Sequence, residues 1–360
     1  MKKSTICLAA GCVLSLASLS VPAAWAGSGS FYCPSNLVSD QPGVAKFQDP
    51  DLVNAWGISA SSSSPFWVSD AGTGKSTLYD GNGVKQSLIV TIPPPAGSPA
   101  GTLSEPTGQV FNATTDFQVG GAPAIFLFAT TNGTIAAWNT GTVAVNVVDA
   151  ANGAAYTGVT IGSNSSGNYL FAANFAKGVI DVFDKNFATA NLSGTFSDPN
   201  LPAGFSPFNI LNLGGTLYVA YAKIDPATGD EVKGRGLGYV DAYDTNGVLL
   251  RRVASKGVLN APWGLAIAPA NFGKFSNALL VGNFGNGHIS GFNPTTGKFL
   301  GQLFDQPRHR VTIDGLWGII FGNGGAAGPT NTLFFAAGPN DEQNGLFGSI
   351  ASSSSSCGGY

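Results

Sequence analysis

The sequence is poor in charge. Charged residues make up 10% of its 360 residues, against about a quarter in an average soluble domain. The formal net charge is −3, which gives little electrostatic attraction for nucleic acid or anionic lipid, so we expect neither as a partner. Scarce charge combined with 50 glycines argues against disorder and favours short strands joined by tight turns.

Histidine is also scarce, and long apolar runs are confined to the N-terminus. With only His288 and His309, the chain cannot build a three-histidine zinc site. After the N-terminal segment no apolar stretch approaches the length of a membrane span, so none is expected. The rest of the sequence also lacks a Gly-x-Ser-x-Gly elbow, a phosphate-binding loop and a Cys-x-x-Cys pair, which removes the commonest signatures of nucleophilic, phosphoryl-transfer and redox enzymes.

Residues 1–26 have the features of a secretory signal peptide. Lys2 and Lys3 precede an apolar stretch over residues 6–21, and Ala24-Trp25-Ala26 forms a small-x-small cleavage site. The sequence LAAGC, which ends at Cys12, resembles a lipobox and leaves a lipoprotein as the alternative. Both readings predict an exported protein, periplasmic or extracellular. In such an oxidising compartment the two remaining cysteines, Cys33 and Cys357, are expected to form a disulfide.

A two-part sequence motif recurs six times along the chain. Its first part is a short apolar strand that pivots on glycine or asparagine, and its second part is a glycine followed five residues later by a large apolar residue. A strand-and-turn repeat of about 50 residues is typical of a β-propeller blade, so the sequence predicts an all-β, six-bladed β-propeller. The pivots are Gly57, Gly108, Gly158, Asn209, Gly264 and Gly318. The six repeats lie near residues 52–92, 105–149, 155–197, 205–254, 260–304 and 313–350.

The sixth repeat lacks an outermost strand, whereas a spare strand precedes the first repeat at residues 36–39. Placed antiparallel beside residues 345–350, the spare strand would complete the last blade and close the ring. Cys33 and Cys357 would then lie at the same corner, with the serine-rich tail, residues 351–360, giving the chain enough slack for them to meet. The propeller domain is therefore expected to cover residues 27–350.

Trp56, Trp263 and Trp317 share one position, immediately before a pivot glycine. Large aromatic side chains in this register are expected to pack between neighbouring blades, with the lining of a ligand pocket as the alternative.

Several long sequence segments resemble those of a known family. NLVSD at 36–40, LNAPWGLAIAP at 259–269 and IDGLWGIIFGNG at 313–324 are similar to phrases in a family of uncharacterised exported proteins related to the NHL-repeat six-bladed propellers. The resemblance covers nearly all of the chain after the signal segment. Family members often end in a PEP-CTERM-type sorting tail, whereas this chain ends in SSSSSCGGY. The resemblance implies the propeller fold but brings no catalytic residues with it.

One face of the propeller should carry the function. The loops that enter the innermost strand of each blade and the loops between its second and third strands lie together on that face, and long polar loops on a rigid scaffold often bind ligands. Two such loops stand out, at 222–237 with six charged residues and at 338–344 with Asp341 and Glu342. The predicted binding face comprises Asn54, Asp70, Asn174, Asp225, Asp230, Glu231, Lys233, Arg235, Asn283, Arg308, His309 and Asp341.

These features favour a monomeric binding or scaffold module for a glycan, peptide or protein. The alternative is a metal-dependent hydrolase or lyase that resembles the propeller lactonases, which hold one divalent ion through Glu, Asn, Asn and Asp. Those residue types occur here in that order, on separate blades and close to the innermost strands, as Glu105, Asn209, Asn260 and Asp314. Oxygen ligands of this kind suit a calcium-type ion. The neighbouring residues do not match the lactonase motifs, and whether the protein is an enzyme stays open at this point.

Overall fold

The computed structural model describes residues 30–150, 152–306 and 309–354, together with Met1 and Cys357. The predicted signal peptide, apart from Met1, and the alternative lipid attachment at Cys12 lie outside the described residues. Over the described ranges the regular structure is almost entirely β, with one short 3-10 helix, Gly273–Phe275. Among the described residues, no helix combines the length and the apolar character that crossing a bilayer requires.

In the described part of the chain six blade sheets surround one axis, which confirms the six-bladed propeller. The blade sheets are antiparallel, apart from the short strand Phe47–Gln48, which pairs parallel with Phe31–Ser39. We number the blades 1–6 in chain order and label their strands a–d from the axis outward. The innermost strand a of each blade contacts strand a of the next blade, and strand a of blade 6 contacts that of blade 1. Each blade is therefore flanked by two others in a closed ring.

The strands of each blade are short, as the glycine-rich sequence predicts. Blade 1 comprises Ala55–Ser59, Phe66–Asp70, Lys75–Tyr79 and Lys85–Thr91. Blade 2 comprises Pro106–Phe111, Phe126–Thr130, Thr134–Trp138 and Val145–Asp149. Blade 3 comprises Tyr156–Asn164, Gly167–Asn174 and Val179–Phe183. Blade 4 comprises Phe205–Leu213, Thr216–Lys223, Tyr239–Tyr243 and Leu249–Ser255. Blade 5 comprises Pro262–Ile267, Leu279–Asn283, Ile289–Phe292 and Phe299–Gln302. Blade 6 comprises Leu316–Phe321, Thr332–Ala337, Leu346–Ser353 and Phe31–Ser39. Short strands outside this pattern are Phe47–Gln48, Gln118–Val119, Ala122–Pro123, Phe304–Gln306 and His309–Arg310.

Blade 3 departs from the repeat, because its sheet has three strands. The segment that follows strand c contributes one isolated bridge, Phe183 to Thr189, in place of strand d. Phe196, farther along the same segment, packs instead against Tyr243 of blade 4, with ring centroids 5.3 Å apart. The segment up to residue 197 therefore stabilises the boundary between two blades.

The N-terminal strand closes the ring as the sequence predicts. Phe31–Ser39 is longer than the predicted strand at 36–39 and pairs antiparallel with Leu346–Ser353 as strand d of blade 6. Cys33 lies opposite Ala351 in this register. The expected disulfide to Cys357 is present, with Cα atoms 5.4 Å apart and 324 residues of separation in sequence. Tyr32 fixes the strand further by donating a hydrogen bond to the carbonyl of Phe272 in blade 5, 3.0 Å away.

Removal of this disulfide should destabilise the whole propeller, because the bridge restricts the unfolded chain over nearly its full length. We expect the Cys33→Ser/Cys357→Ser variant to lose about 2–4 kcal/mol of unfolding free energy, measured by denaturant titration. Wild-type protein treated with a reductant is the matched control and should show the same loss. An unchanged denaturation midpoint would contradict a role for the bridge in closing the ring.

The pivot glycines allow the innermost strands to approach one another closely. A Cβ added to Gly108 would lie 2.7 Å from the Cα of Gly158 in the next blade, and one added to Gly264 would lie 2.6 Å from the carbonyl oxygen of Trp317. Both positions are closer than real Cβ atoms come to backbone atoms, so only glycine fits without displacing a strand.

The asparagine pivot of blade 4 uses the space that a neighbouring glycine leaves. Asn209 is buried, its Oδ1 fills the site where a Cβ of Gly158 would lie, and its Nδ2 donates to the carbonyl of Trp263, 2.9 Å away in blade 5. One side chain therefore ties blades 3, 4 and 5 together close to the axis.

This arrangement predicts a partial rescue. Gly158→Ala should destabilise the protein by about 1–3 kcal/mol because the new methyl group overlaps Asn209. Adding Asn209→Gly should recover part of that loss, since the backbone of residue 209 still lies 2.9 Å from the new Cβ. The same Asn209→Gly change should give no recovery to Gly108→Ala, whose clash is with the backbone of residue 158. Strictly additive losses for Gly158→Ala and Asn209→Gly in thermal unfolding would refute this packing.

Candidate functional site

A cavity of about 370 Å³, which we call the loop-end cavity, opens at one end of the propeller axis. Its wall includes loops that enter strand a, with Asn54, Glu105 and Ala155, and loops between strands b and c, with Gly72 and Thr131. The long inserted loop of blade 4 contributes Gly229, Asp230 and Glu231, and the inserted loop of blade 6 contributes Glu342. Five blades therefore supply the wall, and the cavity lies on the face where the sequence places the predicted binding residues.

Aromatic side chains form the inner part of the cavity. Trp56, Phe175 and Phe208 line it and are all buried. Behind them Trp317 stacks on Trp56 with ring centroids 3.5 Å apart, and Phe284 stacks on the other side of Trp317 at 3.8 Å. The aromatic cluster gives the cavity a rigid, apolar floor.

The tryptophans do more than pack between neighbouring blades. Trp263 lies edge-on to Trp56 at 6.1 Å, although the two belong to blades 5 and 1. Its indole Nε1 donates to the carbonyl of Thr157 in blade 3, 3.0 Å away. The three pre-pivot tryptophans thus converge near the axis, and Trp56 also lines the cavity, as the alternative interpretation of the sequence predicts.

Four carboxylates surround this aromatic floor. Glu105 and Asp230 are exposed at the rim, whereas Glu231 and Glu342 are half-buried. Thr131 donates a hydrogen bond to Glu105, and Asn54 donates one to Glu342. Within the described part of the chain, no basic side chain forms an ion pair with any of the four. The cavity is therefore strongly acidic in a protein that has few charges.

The inserted loop of blade 4 is held by backbone hydrogen bonds. Asp225 and Asp230 pair through the N–H of Asp225, which donates to the carbonyl of Asp230 at 2.8 Å, and Ile224 forms a bridge with Glu231. Farther along, the N–H of Gly234 donates to Oδ1 of Asn260 at 2.6 Å, at the entrance to strand a of blade 5. This long loop is therefore a fixed part of the cavity wall.

The inserted loop of blade 6 presents Glu342 through an unusual backbone. Asn340, Asp341 and Glu342 have φ angles of 59°, 48° and 66°, the left-handed region that non-glycine residues seldom adopt. Asp314 stabilises the turn by accepting the N–H of Asn340 at 2.9 Å. The result is that Glu342 reaches Asn54 at 2.8 Å, while the side chain of Asp341 next to it is 93% exposed.

The environment of these carboxyl groups disfavours their charged forms. Burial, reinforced by the nearby Glu342 and Asp230, raises the pKa of Glu231 to about 7, although Lys233 opposes the change. Burial also raises the pKa of Glu342, against the effects of the Asn54 hydrogen bond and of Lys233. Bringing two partly desolvated carboxylates together costs free energy when both are ionised.

This cost should be visible in the pH dependence of stability. In the unfolded chain Glu231 ionises near its ordinary pKa of 4.5, and in the folded protein it keeps its proton until pH is about 7. Between these values the folded state binds more protons than the unfolded state, so the contribution of Glu231 to stability falls as pH rises. Glu231→Gln should match the wild type at pH 4.5 and exceed it at pH 8 by on the order of 1 kcal/mol after allowing for solvent screening.

The measurement is chemical denaturation of variant and wild type across this pH range. The control is Asp184→Asn, which removes a half-buried carboxylate at an outer hairpin of blade 3 and should not reproduce the gain of Glu231→Gln. Parallel profiles for Glu231→Gln and the wild type would show that Glu231 is not desolvated.

Several residues of the predicted binding face lie behind the cavity wall. Asp70 is fully buried, and burial raises the pKa of its carboxyl well above the ordinary value. Asn174 accepts the N–H of Ala155 at 3.3 Å, and Asn283 accepts the N–H of Asn260 at 2.9 Å. The two asparagines therefore hold loops that enter strand a, instead of lining the cavity themselves.

The other predicted residues lie outside the cavity. Asp225 caps a turn by accepting the N–H of Ala227, Arg235 donates to the carbonyl of Gly257, and His309 is exposed in a two-residue strand. Lys233 and Asp341 form a surface ion pair at 3.5 Å. Arg308 lies outside the described residues. Asn54, Asp230 and Glu231 are the members of the predicted face that line the cavity.

The four candidate calcium ligands are placed apart from one another. Glu105 lines the cavity, whereas Asn209 lies deeper on the axis with both side-chain polar atoms in hydrogen bonds to backbone. Oδ1 of Asn260 accepts from Gly234, and Asp314 accepts from Asn340. Three of the four side chains are thus already engaged in hydrogen bonds within the protein, and the calcium site stays a sequence prediction. Among the described residues, no group of three or more His, Cys, Asp or Glu could hold a metal ion.

The two ends of the axis differ chemically. At the pivots the channel narrows to a small cavity with a volume of about 20 Å³, between residues that include Gln109, Asn209 and Trp263. Beyond this waist a second cavity of about 530 Å³ opens, and its walls include Ile58, Leu211, Leu265, Ile319 and Phe321. That end is largely apolar, so the acidic and aromatic groups are concentrated at the loop end.

Sequence reasoning misses part of the loop-end cavity. Phe175 and Phe208 are not among the predicted site residues, and Glu342 is recognised in its loop without being assigned to the binding face. Phe175 follows strand b, and Phe208 precedes a pivot in the register of the tryptophans. Comparing these positions across all six repeats is the signal that could have identified them.

The fold and the site together define a six-bladed propeller with an axial, acidic and aromatic cavity. No protein-family model matches the chain. It is 32% identical over 331 residues to an uncharacterized protein of Acanthamoeba polyphaga mimivirus, covering 87% of this chain and 78% of that protein. A second uncharacterized protein of the same virus is 31% identical over 333 residues, covering 87% and 84%. The chain belongs to the family of these two proteins. The predicted relation to NHL-repeat proteins and to PEP-CTERM-tailed members stays a prediction.

Solved structures of low identity show the same fold. A streptogramin B lyase has a TM-score of 0.52 at 12% identity, covering 90% of this chain and 98% of that chain. A glucose dehydrogenase has a TM-score of 0.53 at 12% identity, covering 89% and 99%. A protein of unknown function from Bacteroides thetaiotaomicron has a TM-score of 0.55 at 9% identity, covering 90% and 76%. At these identities the likeness concerns architecture alone.

Proposed function

We propose that the protein is an exported binding module. Its loop-end cavity binds a small molecule, a sugar residue of a glycan, or a side chain of a peptide or protein partner. The observation that carries this proposal is the cavity itself. Its volume of about 370 Å³ falls within the range of small-molecule sites, and its mixture of an aromatic floor and a few polar groups is typical of them.

The construction of the wall supports a preformed site. Loops from five blades supply it, and side chains such as Asn174 and Asn283 fix the backbone behind it. A site that is held in place before binding loses less conformational entropy when the ligand arrives. The rigid strands of the propeller therefore favour recognition at this end.

A metal-dependent hydrolase or lyase has weaker support. Its proposed ligands Asn209 and Asn260 already use their side-chain oxygens to accept backbone N–H groups, at 2.8 Å from Ile210 and 2.6 Å from Gly234. Recruiting them to an ion would require both hydrogen bonds to be replaced. The positions of these side chains favour a structural role and leave binding as the better-supported function.

Export is part of the proposal, and the disulfide supports it. The Cys33–Cys357 bridge is of a kind that persists in oxidising compartments and is rare in the cytosol. Together with the predicted signal at residues 1–26, the bridge favours a periplasmic or extracellular location.

Filling the cavity should weaken binding without unfolding the propeller. Ala155 lines the cavity and is half-buried, so Ala155→Phe would occupy part of the ligand volume. Ala188→Phe, on the exposed outer edge of the same blade, is the matched control. In a ligand-observed NMR screen of saccharides, amines, carboxylates and short peptides, we expect the compounds that bind the wild type to lose at least about tenfold in affinity for Ala155→Phe. Ala188→Phe should retain them.

The result that would overturn this proposal is equal binding of every such compound by the wild type and Ala155→Phe. Equal binding would place the recognition site elsewhere on the molecule. Thermal unfolding of Ala155→Phe and Ala188→Phe should show that both variants are folded, so that a change in binding does not come from loss of the fold.

A further inference from the structure

The charges of the loop-end cavity are unbalanced. Glu105, Asp230, Glu231 and Glu342 line it, and none of its lining residues within the described chain is basic. Within the described chain, none of these four carboxylates forms an ion pair. Partly buried carboxylates are normally paired. Lys233 is close enough to oppose the rise in the pKa of Glu231 and Glu342 but forms its ion pair with Asp341, so a ligand could supply a positive charge inside the cavity.

The floor of the cavity is suited to a cation of a particular kind. Trp56, Phe175 and Phe208 present aromatic surface, and an ammonium group over an aromatic face gains electrostatic attraction from the ring quadrupole. An aromatic floor below carboxylates also accommodates the apolar groups that surround an organic ammonium. A small hydrated metal ion would gain nothing from such a floor.

The protein contains an example of this chemistry beside the cavity. Nζ of Lys233 lies 4.6 Å from the ring centroid of Phe284 and 3.5 Å from the carboxylate of Asp341. Phe284 belongs to the same aromatic stack as Trp317 and Trp56. An ammonium therefore already binds between a carboxylate and one end of the stack, while the other end faces the cavity through Trp56.

The spacing of the carboxylates argues for a ligand larger than a metal ion. No three acidic, histidine or cysteine side chains among the described residues are grouped closely enough to hold a metal. The four carboxylates instead come from three loops, one each of blades 2, 4 and 6, around a volume of about 370 Å³. Charges distributed in this way match a cation whose positive charge is spread over a bulky head group.

We propose that the loop-end cavity binds an organic ammonium ion, with the carboxylates of Glu231 and Glu342 facing its charge and Trp56, Phe175 and Phe208 packing against its apolar part. This inference deepens the proposed binding function and rests on it. The ammonium could belong to a free small molecule or to a lysine side chain of a partner, because both present the same chemistry.

A further observation supports this class of ligand. Burial raises the pKa values of Glu231 and Glu342, and a bound cation would offset the cost of ionising them.

The test uses the full chain and pairs of probes that differ in charge alone. Choline is compared with 3,3-dimethylbutan-1-ol, which replaces its nitrogen by carbon. Nα-acetyl-lysine methylamide is compared with the same derivative of 2-aminoheptanoic acid, which replaces the lysine ammonium by a methyl group. Calcium chloride and glucose represent a metal and a neutral sugar. With isothermal titration calorimetry, we expect at least one cation to bind about tenfold more tightly than its neutral partner. Which cation binds more tightly distinguishes a free ligand from a lysine side chain.

The variant Glu231→Gln/Glu342→Gln should bind that cation about tenfold more weakly, since it removes both charges with little change of shape. The matched control is Asp184→Asn/Asp244→Asn, which removes two charges at outer hairpins. Blade 5 has Asn293 at the corresponding hairpin position, where it accepts the N–H of Thr295 at 2.9 Å, so the control should fold and bind normally. Thermal unfolding should confirm that both variants are folded.

The possible outcomes separate this inference from the function on which it rests. Tighter binding of a cation that depends on Glu231 and Glu342 supports it. Equal affinity for a cation and its neutral partner, or binding of calcium or glucose alone, would overturn the ammonium class and leave a binding module intact. Absence of binding by every probe would also overturn it. Equal binding of every compound by the wild type and Ala155→Phe would instead overturn the proposed function itself, because recognition would then lie outside the cavity.

Discussion

Close contact between neighbouring innermost strands is the constraint on which the rest of the structure depends. Pivots such as Gly108 and Gly264 bring backbones together where any larger side chain would separate them. The loops that enter these strands therefore lie around a narrow axis instead of a wide opening. A cavity of ligand size results, and side chains that are far apart in sequence, such as Asn54 and Glu342, come within 2.8 Å of each other.

The chemistry of the site follows from this convergence. The chain has 20 acidic residues, and four of them line one cavity of about 370 Å³. The tryptophans that precede three of the pivots meet below them, because their shared register points them towards the axis. A repeated sequence position has thus produced a single aromatic floor, and the two non-repeated loops have added much of its acidic rim.

The architecture could be predicted from the sequence to a much greater extent than the site. Repeat spacing identifies six blades, and the unpaired strand before the first repeat identifies the closing strand, because every strand in a ring of sheets needs a partner. The site depends on local backbone geometry that repeats do not encode. Asp341 and Glu342 are adjacent and chemically alike, but a left-handed turn exposes the first and turns the second to Asn54. Asn209 has the residue type of a metal ligand, yet its amide serves as a structural link between blades.

The narrow waist at the pivots has a consequence for traffic through the molecule. With about 20 Å³ between Gln109, Asn209 and Trp263, the axis has room for little more than one water molecule. The axis is therefore too narrow at the pivots for an organic ligand to pass, and a ligand in the acidic cavity has the loop end as its opening. The apolar end is free to acquire a separate occupant, and the two ends can diverge during evolution without interfering with each other.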